Sequence, residues 1–148
     1  MNAEIIFSLA NGVAMAGWIL LIIFPQSYIT KKIILSGLLT IILSFLYALI
    51  ASMYFVDADG GYSTLSSVNK LFSQPYPLLA GWIHYLAFDL LIGIFIINDA
   101  QRLSISHFKL MPALVLTFLF GPTGLLYYLA LRIINQGDIR DLFRNLSF

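Results

Sequence analysis

One apolar stretch, residues 80–102, most limits the folds open to this chain, because it can cross a bilayer and yet carries His84 and Asp89. A transmembrane helix needs about 20 mostly apolar residues. Asp89 would lie roughly 16 Å along such a helix, near the middle of a hydrocarbon core about 30 Å thick. A carboxylate at that depth is costly unless it is protonated, paired or bound to a ligand. We therefore predict that this stretch carries the function.

The rest of the chain has the composition of a membrane protein. Its 148 residues are 60% hydrophobic and only 10% charged, with a mean hydropathy of +0.91, which is too little charge for the surface of a soluble domain. We predict an all-α polytopic membrane protein whose single domain, residues 1–148, contains a short interfacial helix between its second and third spans. The four predicted transmembrane helices cover 5–24, 33–56, 78–97 and 111–131, and a polar tail covers 133–148. Four crossings place both termini on one side of the membrane.

Charge and cysteine content exclude several classes of function. The net charge of +1 argues against a nucleic-acid partner. The chain has no cysteine, which excludes disulfides, thiolate metal sites and a cysteine nucleophile. The first apolar run is too long for the core of a signal peptide, so we predict that it is retained as a transmembrane helix.

The first helix combines small residues with one strongly polar side chain. Ser8, Gly12 and Ala16 recur every four residues, which predicts a face for close packing against another helix. That face could serve within one chain or between chains, so an oligomer remains possible. Asn11 either forms an inter-helix hydrogen bond or lines a substrate site with Asp89.

A stripe of hydroxyl groups follows the second helix. Ser36, Thr40 and Ser44 share one face, and small hydroxyl residues in such a stripe usually contact a neighbouring helix. Tyr47 continues the same stripe. Because it is bulky and lies deep, we predict that it donates a hydrogen bond to a buried ligand.

The predicted fourth helix is interrupted at Gly121-Pro122-Thr123-Gly124. Proline donates no backbone hydrogen bond and frees a carbonyl one turn earlier, so a kink is expected. By residue count, the kink lies at about the depth of Asp89. Irregular backbone at that depth is tolerated where protein or a cavity satisfies it. We predict a polar pocket between Asp89 and this kink.

Four ionisable residues are candidates for chemistry: His84, Asp89, Asp99 and His107. His84 and Asp89 are about 140° apart around an ideal helix, so they are not a direct proton-sharing pair. Asp99 is predicted at the far membrane surface, where a charge beside Arg102 is a common feature of a helix end. Asp89 is the residue whose position is hardest to explain by structure alone.

Two elements together resemble a known family. Trp82-Ile83-His84 followed by Asp89, and Phe118 with Gly121-Pro122 and Gly124, look like the abscisic-acid-deficient-four-like membrane proteins. The resemblance runs over about residues 25–132, with smaller matches at 30–32 and 71–73. Plant members are implicated in making neoxanthin, an allenic carotenoid, from violaxanthin. The resemblance thus implies an epoxide-opening isomerisation with no net redox change.

Such chemistry assigns roles to the candidate residues. A buried carboxyl group that keeps its proton can act as the acid on the epoxide oxygen, and His84 can serve as base or proton shuttle. We predict the catalytic set as Asp89, His84, Asp99 and His107. The predicted substrate-binding residues are Asn11, Tyr47, Trp82, Thr117, Gly121 and Pro122. The catalytic set could instead hold a metal through its nitrogen and oxygen atoms, although the spacing matches no compact metal motif. The sequence requires no cofactor.

Two other functions are also consistent with the sequence. The protein could bind a lipid or pigment without catalysis, with His84 and Asp89 in a structural polar network. Proton transport is a weaker alternative, because four helices leave little room for alternating access. The predicted partner is a membrane lipid or carotenoid-like substrate. The chain begins almost at its first helix, which favours a bacterial inner-membrane protein over one with a plant transit peptide.

Overall fold

The computed structural model describes residues 2–136, and every regular element in that range is helical. Six α-helices follow one another along the chain: α1 (Ala3–Ile23), α2 (Leu38–Tyr54), α3 (Leu65–Phe72), α4 (Pro75–Arg102), α5 (His107–Phe120) and α6 (Pro122–Gln136). A π-helical turn, Thr30–Ile34, precedes α2. The all-α prediction is confirmed. The described residues divide into two compact units, the first ending at Leu91 and the second beginning at Ile92.

The boundaries of α1 agree with the prediction, but its packing face does not. Asn2 caps the helix by accepting a hydrogen bond from the Glu4 backbone N–H at 3.1 Å. The predicted face of Ser8, Gly12 and Ala16 is exposed within the chain. A Cβ on Gly12 would meet nothing within 4 Å, whereas one on Gly17 would lie 2.8 Å from the Leu39 side chain. The close approach to α2 is therefore at Gly17.

The predicted second helix, 33–56, is shorter and preceded by a separate turn. Thr30 is fully buried, and its hydroxyl donates to the Phe24 carbonyl at 2.7 Å, which ties the π-helical turn to the end of α1. Gly37 then adopts a left-handed backbone with φ of 79°, a conformation that glycine reaches without steric cost. The α-helix starts only after this glycine and spans 17 residues, Leu38–Tyr54.

The short helix predicted between the second and third spans is present, and so is a helix over the third predicted span. Thr64 caps α3 by accepting from the Ser67 backbone N–H at 3.1 Å. Gly81 allows the next helix to approach α3, since a Cβ there would lie 2.7 Å from the Phe72 ring. The span predicted over 78–97 is longer than expected: α4 covers 28 residues, Pro75–Arg102. It begins on a proline, which is well tolerated in a first helical turn.

The prediction of one kinked helix over 111–131 is wrong. Gly121, with φ of 45° and ψ of −98°, ends α5, and Pro122 begins α6. The two helices form a close antiparallel hairpin. Near its turn, a Cβ on Gly124 would overlap the Thr117 backbone nitrogen and hydroxyl. At its open end, Lys109 Nζ donates to Asn135 Oδ1 at 3.4 Å. The proline thus separates two helices that fold back on each other.

The hairpin also alters the predicted number of membrane spans. Within residues 2–136, two helices are long and apolar enough to cross a membrane, Ala3–Ile23 and Pro75–Arg102. Leu38–Tyr54 and His107–Phe120 are apolar but shorter, and at 1.5 Å per residue the latter reaches only about 21 Å. Four full transmembrane helices are therefore not confirmed. Of the predicted polar tail, 133–136 belongs to α6 and the remainder lies outside the described residues.

Candidate functional site

The centre of the candidate site is Asp89, on the buried side of α4. Its side chain is 8% exposed and lies about 14 residues from each end of this 28-residue helix. Tyr85, one turn earlier, donates a hydrogen bond to the carboxylate. Oδ2 of Asp89 has no hydrogen-bond partner within residues 2–136. A deeply placed carboxylate with one unoccupied oxygen is an unusual and chemically available group.

A second polar contact joins α1 to α4. Trp82 Nε1 donates to Asn11 Oδ1 at 2.9 Å, and Asn11 Nδ2 donates to the Phe7 carbonyl at 3.0 Å. The Trp82 ring also lies 5.3 Å from Tyr85 and 5.8 Å from Phe7. The predicted substrate-binding residues Asn11 and Trp82 are thus brought together. They connect to Asp89 through Tyr85.

His84 lies on a different side of α4 from Asp89. It is exposed, stacks on Phe88 with ring centroids 4.4 Å apart and contacts the edge of the Tyr47 ring at 5.4 Å. Asp89 is buried whereas His84 is exposed, as expected for two residues about 140° apart around one helix. The predicted ligand donor Tyr47 is therefore beside His84.

Thr40 is a buried polar residue that sequence reasoning assigned to helix packing. Of the hydroxyl stripe on α2, Ser36 and Ser44 are exposed, but Thr40 is only 8% exposed. Its Oγ1 has no hydrogen-bond partner in the described part of the chain. Periodicity alone gave no reason to separate Thr40 from the two serines, because all three share one helical stripe.

The second unit contains a fully buried ion pair. Arg132 Nε donates to Asp99 Oδ2 at 2.9 Å, with side-chain exposures of 4% and 9%. Tyr128, 0% exposed, donates to the same oxygen at 2.5 Å. Asp99 was expected as a surface charge beside Arg102, yet its partner is 33 residues away. Sequence reasoning missed Tyr128 and Arg132 because no local pattern links them to Asp99.

The other predicted residues of the second unit lie along the hairpin. Thr117 is buried and donates to the Ala113 carbonyl at 2.8 Å, so its hydroxyl is already satisfied. Gly121 and Pro122 form the turn, and His107 begins α5. The predicted pocket between this turn and Asp89 stays a prediction, since the two belong to different units. Across residues 2–136, no group of three or more His, Asp or Glu side chains is arranged to hold a metal ion.

A further cavity lies in the first unit, where α2 ends and α4 begins. It has a volume of about 390 Å³. The rings of Tyr54 and Tyr76 line it and stack with centroids 3.9 Å apart. Asp57 and Gln74 supply its other polar groups.

Comparison with known proteins decides the family. The ABA DEFICIENT 4-like family matches residues 5–128. The chain belongs to this family. The match includes all six predicted substrate-binding residues and all four predicted catalytic residues, so the resemblance drawn from the Trp82 and Phe118 elements is confirmed.

One curated relative is a plant protein. The chain is 27% identical over 143 residues to Protein ABA DEFICIENT 4, chloroplastic, from Arabidopsis thaliana, which covers 90% of this chain and 64% of the relative. The chain therefore spans a little less than two thirds of that relative's length. The comparison gives no support to the predicted bacterial inner membrane. No solved structure matches the chain.

Proposed function

We propose that this protein is an integral-membrane isomerase acting on an epoxide-bearing carotenoid or another isoprenoid lipid. The observation that carries the proposal is Asp89, a buried carboxylate in the middle of a long apolar helix, with no hydrogen-bond partner for Oδ2 among residues 2–136. Family membership supplies the substrate class, because the resemblance implies neoxanthin formation for plant members. The two long apolar helices support placement in a membrane.

The exposed surface of the first unit supports contact with lipid. Large apolar side chains on α1 and α2 are exposed, among them Leu9 at 60%, Ile41 at 63% and Phe45 at 71%. Contiguous apolar surface of this kind is rare on soluble monomers and typical of lipid-facing helices. An isoprenoid substrate dissolved in the bilayer would reach α4 from such a surface.

Asp89 is assigned the role of acid. In its protonated form it transfers its proton to the epoxide oxygen, and one carbon–oxygen bond breaks, so that the oxygen stays on the other carbon as a hydroxyl group and the first carbon becomes electron-deficient. A base then removes one proton from the polyene, and that electron pair forms the new double bond of the allene. One proton is given and one is taken, so the product is an isomer of the substrate.

The base is assigned to His84, with Tyr47 and Phe88 holding its ring. Tyr85 orients the Asp89 carboxyl group through its hydrogen bond. Asp99 is assigned a positioning role, because Arg132 and Tyr128 already occupy one of its oxygens. His107 begins α5 in the second unit, and its catalytic role remains a prediction from sequence.

The test is product formation in cells that make violaxanthin. The wild-type chain is expected to yield an isomer of unchanged mass, detected by chromatography and absorbance. Asp89→Asn should lower product by at least about 100-fold, the usual contribution of a general acid. Asp59→Asn is the matched control, because that carboxylate is 75% exposed and forms only a surface pair with Lys70. Unchanged product from Asp89→Asn would rule out the assignment.

A second candidate function is non-catalytic binding of a lipid or pigment. The observation that favours it is the separation of His84, on the exposed side of α4, from the buried Asp89. In that case Asp89 binds a polar group of the ligand, and His84 makes a structural contact with Tyr47 and Phe88. Purified protein that carries a bound carotenoid but forms no isomer would support this alternative.

A further inference from the structure

The cavity where α2 ends and α4 begins has no role in the reaction assigned to Asp89. Its volume is about 390 Å³, within the range of clefts that take small organic ligands. Tyr54, Asp57, Gln74 and Tyr76 line it. It opens to the surface, since Asp57 is exposed. A preformed cleft with both polar and aromatic groups is a candidate binding site.

The loop that carries Asp57 is held in place by Gln74. Nε2 of Gln74 donates to the Asp59 carbonyl at 2.8 Å, and the Asp59 backbone N–H donates to Gln74 Oε1 at 3.4 Å. Nε2 also donates to the Lys70 carbonyl at 3.3 Å. Gln74 therefore joins the loop to the residues before α4, and a site that is preorganised in this way loses less conformational freedom on binding.

The charge at the cavity is negative. Within residues 2–136, Asp57 has no ion-pair partner, because Lys70 pairs with Asp59 instead, at 3.5 Å. In the same part of the chain, no lysine or arginine lines the cavity. An anionic group would be repelled by the Asp57 carboxylate, whereas a cation would gain a counter-charge. Charge complementarity therefore favours a cationic ligand.

The aromatic lining favours an organic cation. The rings of Tyr54 and Tyr76 stack with centroids 3.9 Å apart and planes 3° apart, so only their outer faces are left for a ligand. A cation over the face of a tyrosine ring is attracted by the ring quadrupole. The rest of the lining is apolar: Met53, Ala58, Pro75 and Pro77. A quaternary ammonium suits these surfaces because it has no N–H donor to satisfy, whereas a primary ammonium has three.

The position of the cavity along α4 indicates the source of the cation. Tyr76 precedes Asp89 by 13 residues, which is about 20 Å along the helix axis. With Asp89 near the bilayer centre, Tyr76 lies beyond the hydrocarbon core, which extends about 15 Å on each side, and within the headgroup layer. Met53, and Leu49 one turn before it, are exposed apolar residues on α2. They offer a surface for the acyl chains of a lipid.

We propose that this cavity binds the quaternary ammonium headgroup of a choline-bearing phospholipid. The ammonium group lies against an outer face of the stacked pair of Tyr54 and Tyr76, with the Asp57 carboxylate as its counter-charge. The choice of a lipid rests on the membrane placement in the proposed function, and not on the isomerase reaction. The headgroup site is about 20 Å from Asp89 along α4.

Binding to the purified full chain in a maltoside detergent, which has no ammonium group, tests the proposal. The probes are the dihexanoyl forms of phosphatidylcholine, phosphatidylethanolamine and phosphatidylglycerol, together with free choline. Calorimetric titration measures each affinity. Phosphatidylcholine is expected to bind at least about tenfold more tightly than phosphatidylglycerol, whose headgroup has no cation. Equal affinity for these two lipids overturns the proposal.

The other two probes identify the cation and its source. Weaker binding of phosphatidylethanolamine supports a quaternary ammonium, and equal or tighter binding overturns it in favour of a primary ammonium. Weaker binding of free choline supports a lipid ligand, because choline lacks the acyl chains. Equal affinity for free choline and phosphatidylcholine overturns the lipid source and leaves a site for a soluble cation.

Variants of the lining locate the site. Tyr54→Leu and Asp57→Asn should each weaken phosphatidylcholine binding about tenfold. Tyr54→Phe keeps the ring face and should retain most of the affinity. The matched controls are Tyr62→Leu and Asp59→Asn, because both side chains are exposed and neither lines the cavity. Both controls should bind phosphatidylcholine like the wild type.

The lipid site and the isomerase are tested independently. Headgroup-selective binding without isomer formation supports the site and contradicts the enzyme, and isomer formation without headgroup selectivity does the reverse. If Tyr54→Leu disturbs folding, Asp57→Asn decides, because Asp57 is exposed and its replacement leaves the ring pair intact. Unchanged phosphatidylcholine affinity of Asp57→Asn overturns the proposal.

Discussion

Arg132 and Asp99 form a buried ion pair across 33 residues of sequence, with Nε 2.9 Å from Oδ2. Phe95 and Tyr128 contact each other at nearly the same offset along the two helices, with ring centroids 6.2 Å apart. The C-terminal part of α4 and α6 therefore run parallel. These two contacts set the direction of α6, and so of the α5–α6 hairpin, relative to the C-terminal part of α4.

Removing one partner of the ion pair is expected to destabilise the second unit. Asp99→Asn leaves Arg132 buried without its counter-charge, which typically costs about 3–5 kcal/mol. Tyr128→Phe removes one hydrogen bond and should cost about 1–3 kcal/mol. Denaturant unfolding in detergent measures both. The exposed pair of Asp59 and Lys70, 3.5 Å apart, is the control, and Asp59→Asn should cost less than about 1 kcal/mol.

Two glycines should respond to alanine in opposite directions. Gly124→Ala places a Cβ against the Thr117 and Ala113 backbone, and overpacking of this kind costs about 1–3 kcal/mol or more. Gly12→Ala meets nothing within 4 Å and should stabilise α1 by up to about 1 kcal/mol through helix propensity. The thermal unfolding midpoints of the two variants, each compared with the wild type, measure these effects. Equal effects would contradict the close contact of α5 with α6.

A substitution on the exposed face of α1 can test whether the chain associates with a second copy of itself. If Gly12 packs against a second copy of the chain, Gly12→Leu should dissociate an oligomer seen by size-exclusion chromatography with light scattering. The same substitution leaves the isolated chain undisturbed, because the site is open. An unchanged molar mass would exclude Gly12 from any such interface.

The hairpin predicts that the two ends of the α5–α6 segment lie on one side of a membrane. The chain has no cysteine, so single cysteines can be introduced at Ser106, whose side chain makes no cap bond, and at Asn135. An impermeant maleimide added outside oriented vesicles should label both or neither. A single transmembrane helix over 111–131 requires labelling at one position only.

The contact of Trp82 with Asn11 should contribute modestly to stability. Trp82→Phe keeps an aromatic ring but removes the donor to Asn11 Oδ1, which lies 2.9 Å away. A loss of about 0.5–1.5 kcal/mol is expected. Asn11→Leu should show a similar loss, and the double variant should lose less than the sum. Additive losses would mean that the two side chains do not act as a pair.

The sequence by itself determined the helical class, the family and the position of Asp89 within a long apolar helix. The helical class and the placement of Asp89 follow from hydropathy and short-range periodicity, which are properties of neighbouring residues. The motifs around Trp82 and Phe118 were also local, so the resemblance was readable before any contact was known.

Only the tertiary structure decided which polar groups are buried and what they contact. Ser36, Thr40 and Ser44 are equivalent in the pattern of α2, yet only Thr40 is buried. Likewise, Gly121 and Pro122 indicated an interruption but not that α6 folds back on α5. The outcome depends on partners distant in sequence, such as Leu39 for Gly17 and Arg132 for Asp99. Asp89 was therefore predictable as an unusual residue, whereas the burial of Thr40 became visible only in the folded chain.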